Sequence, residues 1–275
     1  MWLGSAAESL FATLFPATCR LCGDPLLNIS RLPVCQECLD AIRPIGGDTC
    51  SICGERILSP YALAQGADAP LCGLCRRVEP PFARATAYGS YEGGLRELIH
   101  LLKYEQVKPA ADALGRMLAA AIHELEPPFG DAPVIVLPVP LHRDKRRQRG
   151  FNQSEKIARA ALKFVRANGR FILDTDVLLR HRPTQSQIGL TRHQRRENIR
   201  GAFKVAKPGA VSGREVLLVD DVFTTGTTVS ECARILRRQG ASKVWVATVA
   251  RTLKLEAGRI EFDGGKETDL AVSAA

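Results

Sequence analysis

The stretch Val219-Asp220-Asp221-Val222-Phe223-Thr224-Thr225-Gly226-Thr227-Thr228 constrains this chain more than any other. It continues the apolar run Val216-Leu217-Leu218-Val219, a short unbroken pattern that predicts a strand buried on both faces. Two carboxylates closing such a strand need a ligand or partner, because a charge withdrawn from water and left unpaired is costly. Gly226 permits a tight turn and a close backbone approach. The helix expected from about Thr228 to Gln239 directs free N–H groups and the positive end of its dipole at the same place. One bend therefore offers donors for a phosphate, with acceptors for sugar hydroxyls just before it. In open α/β sheets, ligands lie at the carboxyl ends of strands. The chain has no Gly-Lys-Ser/Thr and no G-x-G-x-x-G, which excludes a Walker loop and a dinucleotide fingerprint.

The flanking pattern predicts an α/β fold. Arg84 to Tyr91 alternates as a strand, and Gly93-Gly94 turns the chain. Leu95, Leu98, Ile99 and Leu102 then fit an amphipathic helix ending near Lys103-Tyr104. Pro109 opens a second helix with Ala113, Leu114, Met117 and Leu118 on one face, closed by Pro127-Pro128. Val134 to Leu137 is a strand stopped by Pro138 and Pro140. A basic loop follows, then a helix from about Asn152 to Ala167. Gly240 stops the helix after the phosphate bend, and Val244 to Val249 is a third buried strand. Buried strands alternating with helices imply right-handed crossovers and a mainly parallel sheet flanked by helices.

Ahead of this domain stand Cys19-x-x-Cys22, Cys35-x-x-Cys38, Cys50-x-x-Cys53 and Cys72-x-x-Cys75. A C-x-x-C turn presents two thiolates to one tetrahedral ion, so four pairs suit two structural Cys₄ zinc sites. Pairing first with second and third with fourth is simplest; an interleaved pairing, a single zinc, disulfides or an iron–sulfur cluster stay open. Pro80-Pro81 marks the boundary, giving a cysteine-rich module over 1–79, an α/β domain over 80–255 and a loosely held tail over 256–275. The start, Met1 to Phe15, contains Glu8 and no basic segment, and reads as a packing helix rather than a signal peptide. No apolar run approaches the roughly 20 residues needed to span a bilayer. A cytoplasmic protein without membrane insertion is expected. Cys232, alone in the last helix, reads as a small buried hydrophobe.

The net charge of +9 is concentrated in two segments. His142 to Arg149 sets Arg143, Lys145, Arg146, Arg147 and Arg149 against Asp144, and Arg180 to Arg200 sets six arginines against Glu197. Basic charge so confined suits a polyanion: pyrophosphate, nucleic acid or both.

The stretch VLLVDDVFTTGTTV (Val216 to Val229) resembles the 5-phosphoribosyl-1-pyrophosphate signature of type I phosphoribosyltransferases. Together with LIHLLKY (Leu98 to Tyr104), PVPLHRDKRRQRGFNQ (Pro138 to Gln153) and RPTQSQIGLTRHQRRENIRGAF (Arg182 to Phe203), it makes the chain similar to the competence-associated ComF family over about residues 15 to 252. The resemblance implies a double zinc ribbon joined to a type I phosphoribosyltransferase-like domain. It assigns Asp220 and Asp221 to the ribose hydroxyls and to catalysis, and Thr224, Thr225, Gly226, Thr227 and Thr228 to the 5′-phosphate. His142, Arg143 and Arg149 would face pyrophosphate. Arg182, Gln187, Arg195, Arg196 and Asn198 would belong to a mobile hood. It implies Mg²⁺ with 5-phosphoribosyl-1-pyrophosphate, a role in DNA uptake, and single-stranded DNA and a DNA-uptake helicase as candidate partners. Three functions fit: a phosphoribosyltransferase with an unidentified acceptor, a nucleic-acid-handling protein using the donor site as a sensor or relic, and a regulator acting through protein partners. No residue pattern marks a base for an acceptor.

Overall fold

The structure, a computed structural model, describes residues 17–26, 30–57, 69–125, 129, 132–165, 169–184 and 191–253. The expected amino-terminal helix, the Pro127-Pro128 stop, Gln187 and the tail over 256–275 lie outside the described residues. No helix among the described residues is long and apolar enough to cross a membrane.

After two cysteine knuckles and the short helix α1 (Gln36–Asp40), the chain runs β1 (Arg84–Ser90), α2 (Gly93–Lys103), α3 (Ala110–His123), β2 (Val134–Pro138), α4 (Arg143–Arg149) and α5 (Gln153–Ala161). It continues through β3 (Phe171–Leu173), β4 (Leu178–Arg180), α6 (Arg192–Ile199), β5 (Phe203–Val205), β6 (Glu215–Phe223), α7 (Thr227–Arg238) and β7 (Lys243–Arg251). Five strands in the order β1-β7-β6-β2-β3 form a sheet that is parallel at every pairing. β4 and β5 form a separate antiparallel ribbon. This is the α/β architecture expected from the buried apolar runs.

Strand alternation divides the core between the two faces. Val134, Val136, Leu217, Val219, Trp245 and Ala247 pack with α2, α3, α5 and the first cysteine knuckles. Ile135, Leu137, Val216, Leu218, Val244 and Val246 pack with α7, the β4–β5 ribbon and the second knuckles. Each cysteine module thus braces one face of the sheet. α3 and α5 touch closely because Gly115 lacks a side chain: a Cβ there would lie 2.5 Å from the Ala160 methyl.

Three local expectations need correction. The stretch after Pro140 is no loop: Arg143–Arg149 is helical, with His142 as N-cap and Gly150 (φ +77°) ending it. The helix expected from about Asn152 to Ala167 is shorter, running Gln153–Ala161 with Asn152 as its cap. β6 continues past Val219 to Phe223, so the twin aspartates lie within the strand. Among the described residues of Arg182 to Asn198 stands helix α6, which opens on a capping box in which Thr191 and Gln194 bond each other's backbone. Cys232 is fully buried, as expected.

Candidate functional site

The strand β6 loses its alternation where it reaches the aspartates. Leu217 and Val219 pack on one face and so does Val222, whereas Val216 and Leu218 share the other with Phe223. The pairing with β7 nevertheless keeps one register through the pair, with Asp220 opposite Thr248, Val222 opposite Ala250 and Phe223 opposite Arg251. Each carboxylate accepts from the next residue's amide: Asp220 Oδ1 from Asp221 N at 3.0 Å, and Asp221 Oδ1 from Val222 N at 2.8 Å.

Two helices supply the remaining partners. Ser154, fully buried near the start of α5, donates through Oγ to Asp220 Oδ1 at 2.8 Å. Asn152 sets that serine in place: its side chain accepts from Ser154 N at 3.1 Å and donates to Val139 O at 3.1 Å. Lys103, the last residue of α2, forms an ion pair with Asp221 Oδ2. Burial and the neighbouring Asp221 carboxylate push the Asp220 pKa up to about 7, against the opposing pull of Ser154 and Lys103. Burial alone would lower the Lys103 ammonium, but the Asp221 carboxylate outweighs it and raises its pKa.

Other cations gather at the same place. Lys145 is pulled below the usual lysine range by partial burial and by the like charges of Arg180, Arg149 and Lys103. Arg180 is also lowered, chiefly by burial. Three separate segments, the end of α2, helix α4 and strand β4, thus bring positive charge together beside the aspartates. Mutual repulsion of this kind is relieved by a multivalent anion.

The turn after β6 is tight and built around Gly226. Gly226 is the left-handed N-cap of α7 (φ +71°), and a Cβ there would lie 2.5 Å from the Phe223 ring, so both conformation and space require glycine. The Thr225 and Thr227 hydroxyls lie 2.7 Å apart. The backbone amides of Thr224, Thr225 and Gly226 donate no hydrogen bond to another described residue. Thr228 occupies the second position of α7. Arg195 in α6 reaches Thr224, Nη1 to Oγ1 at 3.4 Å, which brings the helix of the expected hood over the turn.

The remaining expected residues divide. Arg143 lines a cavity of about 340 Å³ between α4, α5 and the β4–β5 ribbon, with Arg146, Glu155, Arg180, His181 and Lys204. His142 is engaged as the cap of α4, its Nδ1 accepting from Asp144 N at 3.4 Å. Arg149 donates to Gln153 Oε1 at 2.6 Å and stacks 5.5 Å over the Tyr104 ring. Arg182 donates to Asn198 O at 2.9 Å and to Arg200 O at 2.7 Å, at the end of α6. Arg196 is exposed. Lys103 and Ser154 were not anticipated as site residues, and Lys145 and Arg180 only as members of the two basic segments. Lys103 and Ser154 stand within and beside the quoted motifs, but their contacts with the aspartates span 118 and 66 positions of sequence and leave no local signal.

Each cysteine module closes on four thiols, Cys19, Cys22, Cys35 and Cys38 in one and Cys50, Cys53, Cys72 and Cys75 in the other, all within 4.8 Å of one another. The pairing is therefore sequential. A tetrahedral ion with bonds of about 2.3 Å has ligand atoms about 3.8 Å apart. The Cys22–Cys35 and Cys53–Cys72 sulfurs lie 3.8 and 3.6 Å apart, so both clusters fit Zn²⁺. Amide donors support the first: Leu21 N and Cys35 N donate to Cys19 Sγ at 3.4 and 3.3 Å. The modules are structural repeats. Thr18-Cys19…Cys22-Gly23 and Thr49-Cys50…Cys53-Gly54 each end on a left-handed glycine whose N–H bonds the first cysteine's carbonyl at 2.8 Å.

A parallel α/β sheet in which twin aspartates in the last residues of a buried strand precede a Thr/Gly turn into a helix defines a phosphoribosyltransferase-like domain. Comparison with known proteins agrees: residues 174–260 match the phosphoribosyl transferase domain, and residues 10–76 match the double zinc ribbon domain. The chain is 33% identical over 240 residues to the DNA utilization protein YhgH of Escherichia coli O157:H7, covering 86% of this chain and 98% of that one. It is 29% identical to competence protein F of Haemophilus influenzae, over 79% of this chain and 96% of the relative. It is 22% identical to competence protein ComFC of Bacillus subtilis, over 80% and 84%. The chain belongs to the ComF family.

Proposed function

We propose that this protein binds 5-phosphoribosyl-1-pyrophosphate as its Mg²⁺ complex and transfers the phosphoribosyl group to an acceptor in the service of DNA uptake. The observation that carries the reading is the conjunction of the Asp220/Asp221 pair with the amides of Thr224 to Gly226 just beyond, which donate to no other described residue. Asp220 and Asp221 would accept from the ribose 2′- and 3′-hydroxyls, and the turn and the start of α7 would hold the 5′-phosphate. Lys103, Lys145, Arg149 and Arg180 would receive the pyrophosphate. Mg²⁺, arriving with the donor, neutralises pyrophosphate charge. In the transfer, the C1–O bond to pyrophosphate breaks and an acceptor lone pair forms the new bond to C1. Cations fixed in place stabilise the negative charge that develops on the leaving group, and the carboxylates support positive charge on the ring.

The acceptor would enter the cavity beside Arg143 and Arg180, whose surplus of cations over Glu155 favours an acidic one. The exposed cations of α4 and the DNA-related names of the relatives support contact with single-stranded DNA. The domain would span residues 80–255, with a structural zinc in each ribbon of 1–79. A screen of neutral and carboxylated nucleobases and of amines for donor-dependent pyrophosphate release tests transfer. Release with an acidic acceptor is expected. No release with any acceptor, despite donor binding, would leave donor sensing as the function. A DNA titration across salt concentrations tests the second arm, since phosphate contacts make affinity fall steeply with salt.

A further inference from the structure

We infer that Arg251 ties the second zinc ribbon to the phosphate turn, so that a metal-loaded second ribbon sets the geometry on which donor binding depends. The inference rests on the reading of that turn as the phosphate site. Arg251 closes β7 and is 2% exposed. Its guanidinium is held in three directions. Nη1 donates to the carbonyl of Cys53, one of the four thiol residues of the second cluster. Nη2 donates to Glu55 Oε2 at 2.9 Å. Its Cζ lies over the Phe223 ring, 4.9 Å from the centroid. That ring is the surface against which Gly226 turns. The chain of contacts is therefore Cys53, Arg251, Phe223, Gly226.

The approach of ribbon to sheet is as close as the backbone allows. Gly54 lies between Cys53 and Glu55 at φ +70°, and a Cβ there would stand 3.0 Å from Ala85 O and 3.2 Å from Arg251 Nη1. Ala85 N in β1 donates to Ile52 O at 2.7 Å, fixing the knuckle to the sheet. Phe82 packs edge-on to Phe223 at 6.2 Å and closes the other side of the ring. The first ribbon, by contrast, packs on the opposite face with α2 and makes none of these contacts among the described residues. Arginine is specifically required. A lysine offers one point charge, whereas the guanidinium satisfies a carbonyl and a carboxylate in its plane while its face covers the ring. Arg251 touches no part of the turn itself and is a positioning residue. Coupling of this kind is reciprocal: if the ribbon orders the donor site, bound donor must hold the ribbon's metal more firmly.

Two measurements on the full zinc-loaded chain test this. The first follows the Gly226 and Thr225 amide resonances, without donor, in Arg251→Lys and Glu55→Gln, with Cys22→Ser in the first ribbon as control. Both second-ribbon variants should shift these resonances, and the control should not. Unmoved resonances in both variants, each folded and carrying two zinc equivalents, would overturn the inference. The second follows zinc release to a chromogenic chelator with and without the Mg²⁺–donor complex. Donor should slow release of one zinc equivalent and leave the other unchanged, and in Arg251→Lys the protection should vanish as donor affinity falls about tenfold or more. Undiminished affinity and protection in Arg251→Lys would overturn it. If the wild-type chain bound no donor, the phosphate-site reading would fall, and the resonance comparison would still decide the role of Arg251.

Discussion

Ser154, near the start of α5, donates its hydroxyl to Asp220 in β6 at 2.8 Å, across 66 residues of sequence. The bond favours the ionised carboxylate, so its loss should raise the Asp220 pKa above about 7. Ser154→Ala should therefore weaken donor binding at pH 7 several-fold and leave it less affected at pH 8.5, as read by calorimetry at the two pH values.

The position of Asp220 gives donor binding a pH dependence of defined sign. Its folded-state pKa, about 7, lies above the ordinary 3.8, so the protonated form is favoured in the folded chain. Ionising it therefore opposes folding progressively as pH rises between those values. A ligand that needs the carboxylate must expel that proton: affinity should rise as pH increases through 7, by up to about tenfold per pH unit below it. Titrations in two buffers of different ionisation enthalpy should show proton release near pH 7, and Asp220→Asn should lose the Asp220 contribution to it.

Lys103 and Asp221 form a pair that is largely shielded from water. Removing one partner leaves the other charge buried, at a cost of about 3–5 kcal/mol. Lys103→Met should lower the urea midpoint substantially. Lys103→Met with Asp221→Leu should recover much of the loss while still failing to bind donor. Equal midpoints for the single variant and the wild type would contradict the ion pair.

Gly226→Ala places a methyl in the Phe223 ring and forces alanine to φ +71°. The strain is about 1–3 kcal/mol, and the turn must move to relieve it. Donor affinity should fall more than the melting temperature does, as measured by calorimetry beside a thermal scan.

Each cysteine cluster is the core of its own module, since the described residues around it bring little other apolar bulk than a few leucines and isoleucines. Elemental analysis should return about two zinc equivalents per chain. Chelation should abolish the order of residues 17–26, 30–57 and 69–76, seen as collapse of their amide dispersion, while the parallel sheet keeps its far-ultraviolet signal.

Much of this molecule was legible in its sequence because its central strands are buried on both faces. Val134–Leu137, Val216–Val219 and Val244–Val249 appear as continuous apolar runs, and Gly240 (φ +87°) marks the end of α7. The cysteine spacing revealed both clusters, since ligands to one ion come in local pairs. The three-residue strands β3, β4 and β5 escaped notice because their length gives period 2 no room to repeat. Helix α4 was hidden by its charge: Arg143–Arg149 has no apolar face, and its helicity comes from the His142 cap and the left-handed Gly150. At the site, the aspartates and the Thr/Gly turn were visible because they are contiguous. Lys103, Ser154 and Arg251 were not, because each acts through a contact made only when distant elements pack.

The most direct test is calorimetric titration of the full zinc-loaded chain with 5-phosphoribosyl-1-pyrophosphate and Mg²⁺. One binding site per chain is expected, dependent on Mg²⁺ and lost in a folded Asp220→Asn/Asp221→Asn variant. Absence of binding by the wild-type chain, or undiminished binding by that variant, would contradict the account.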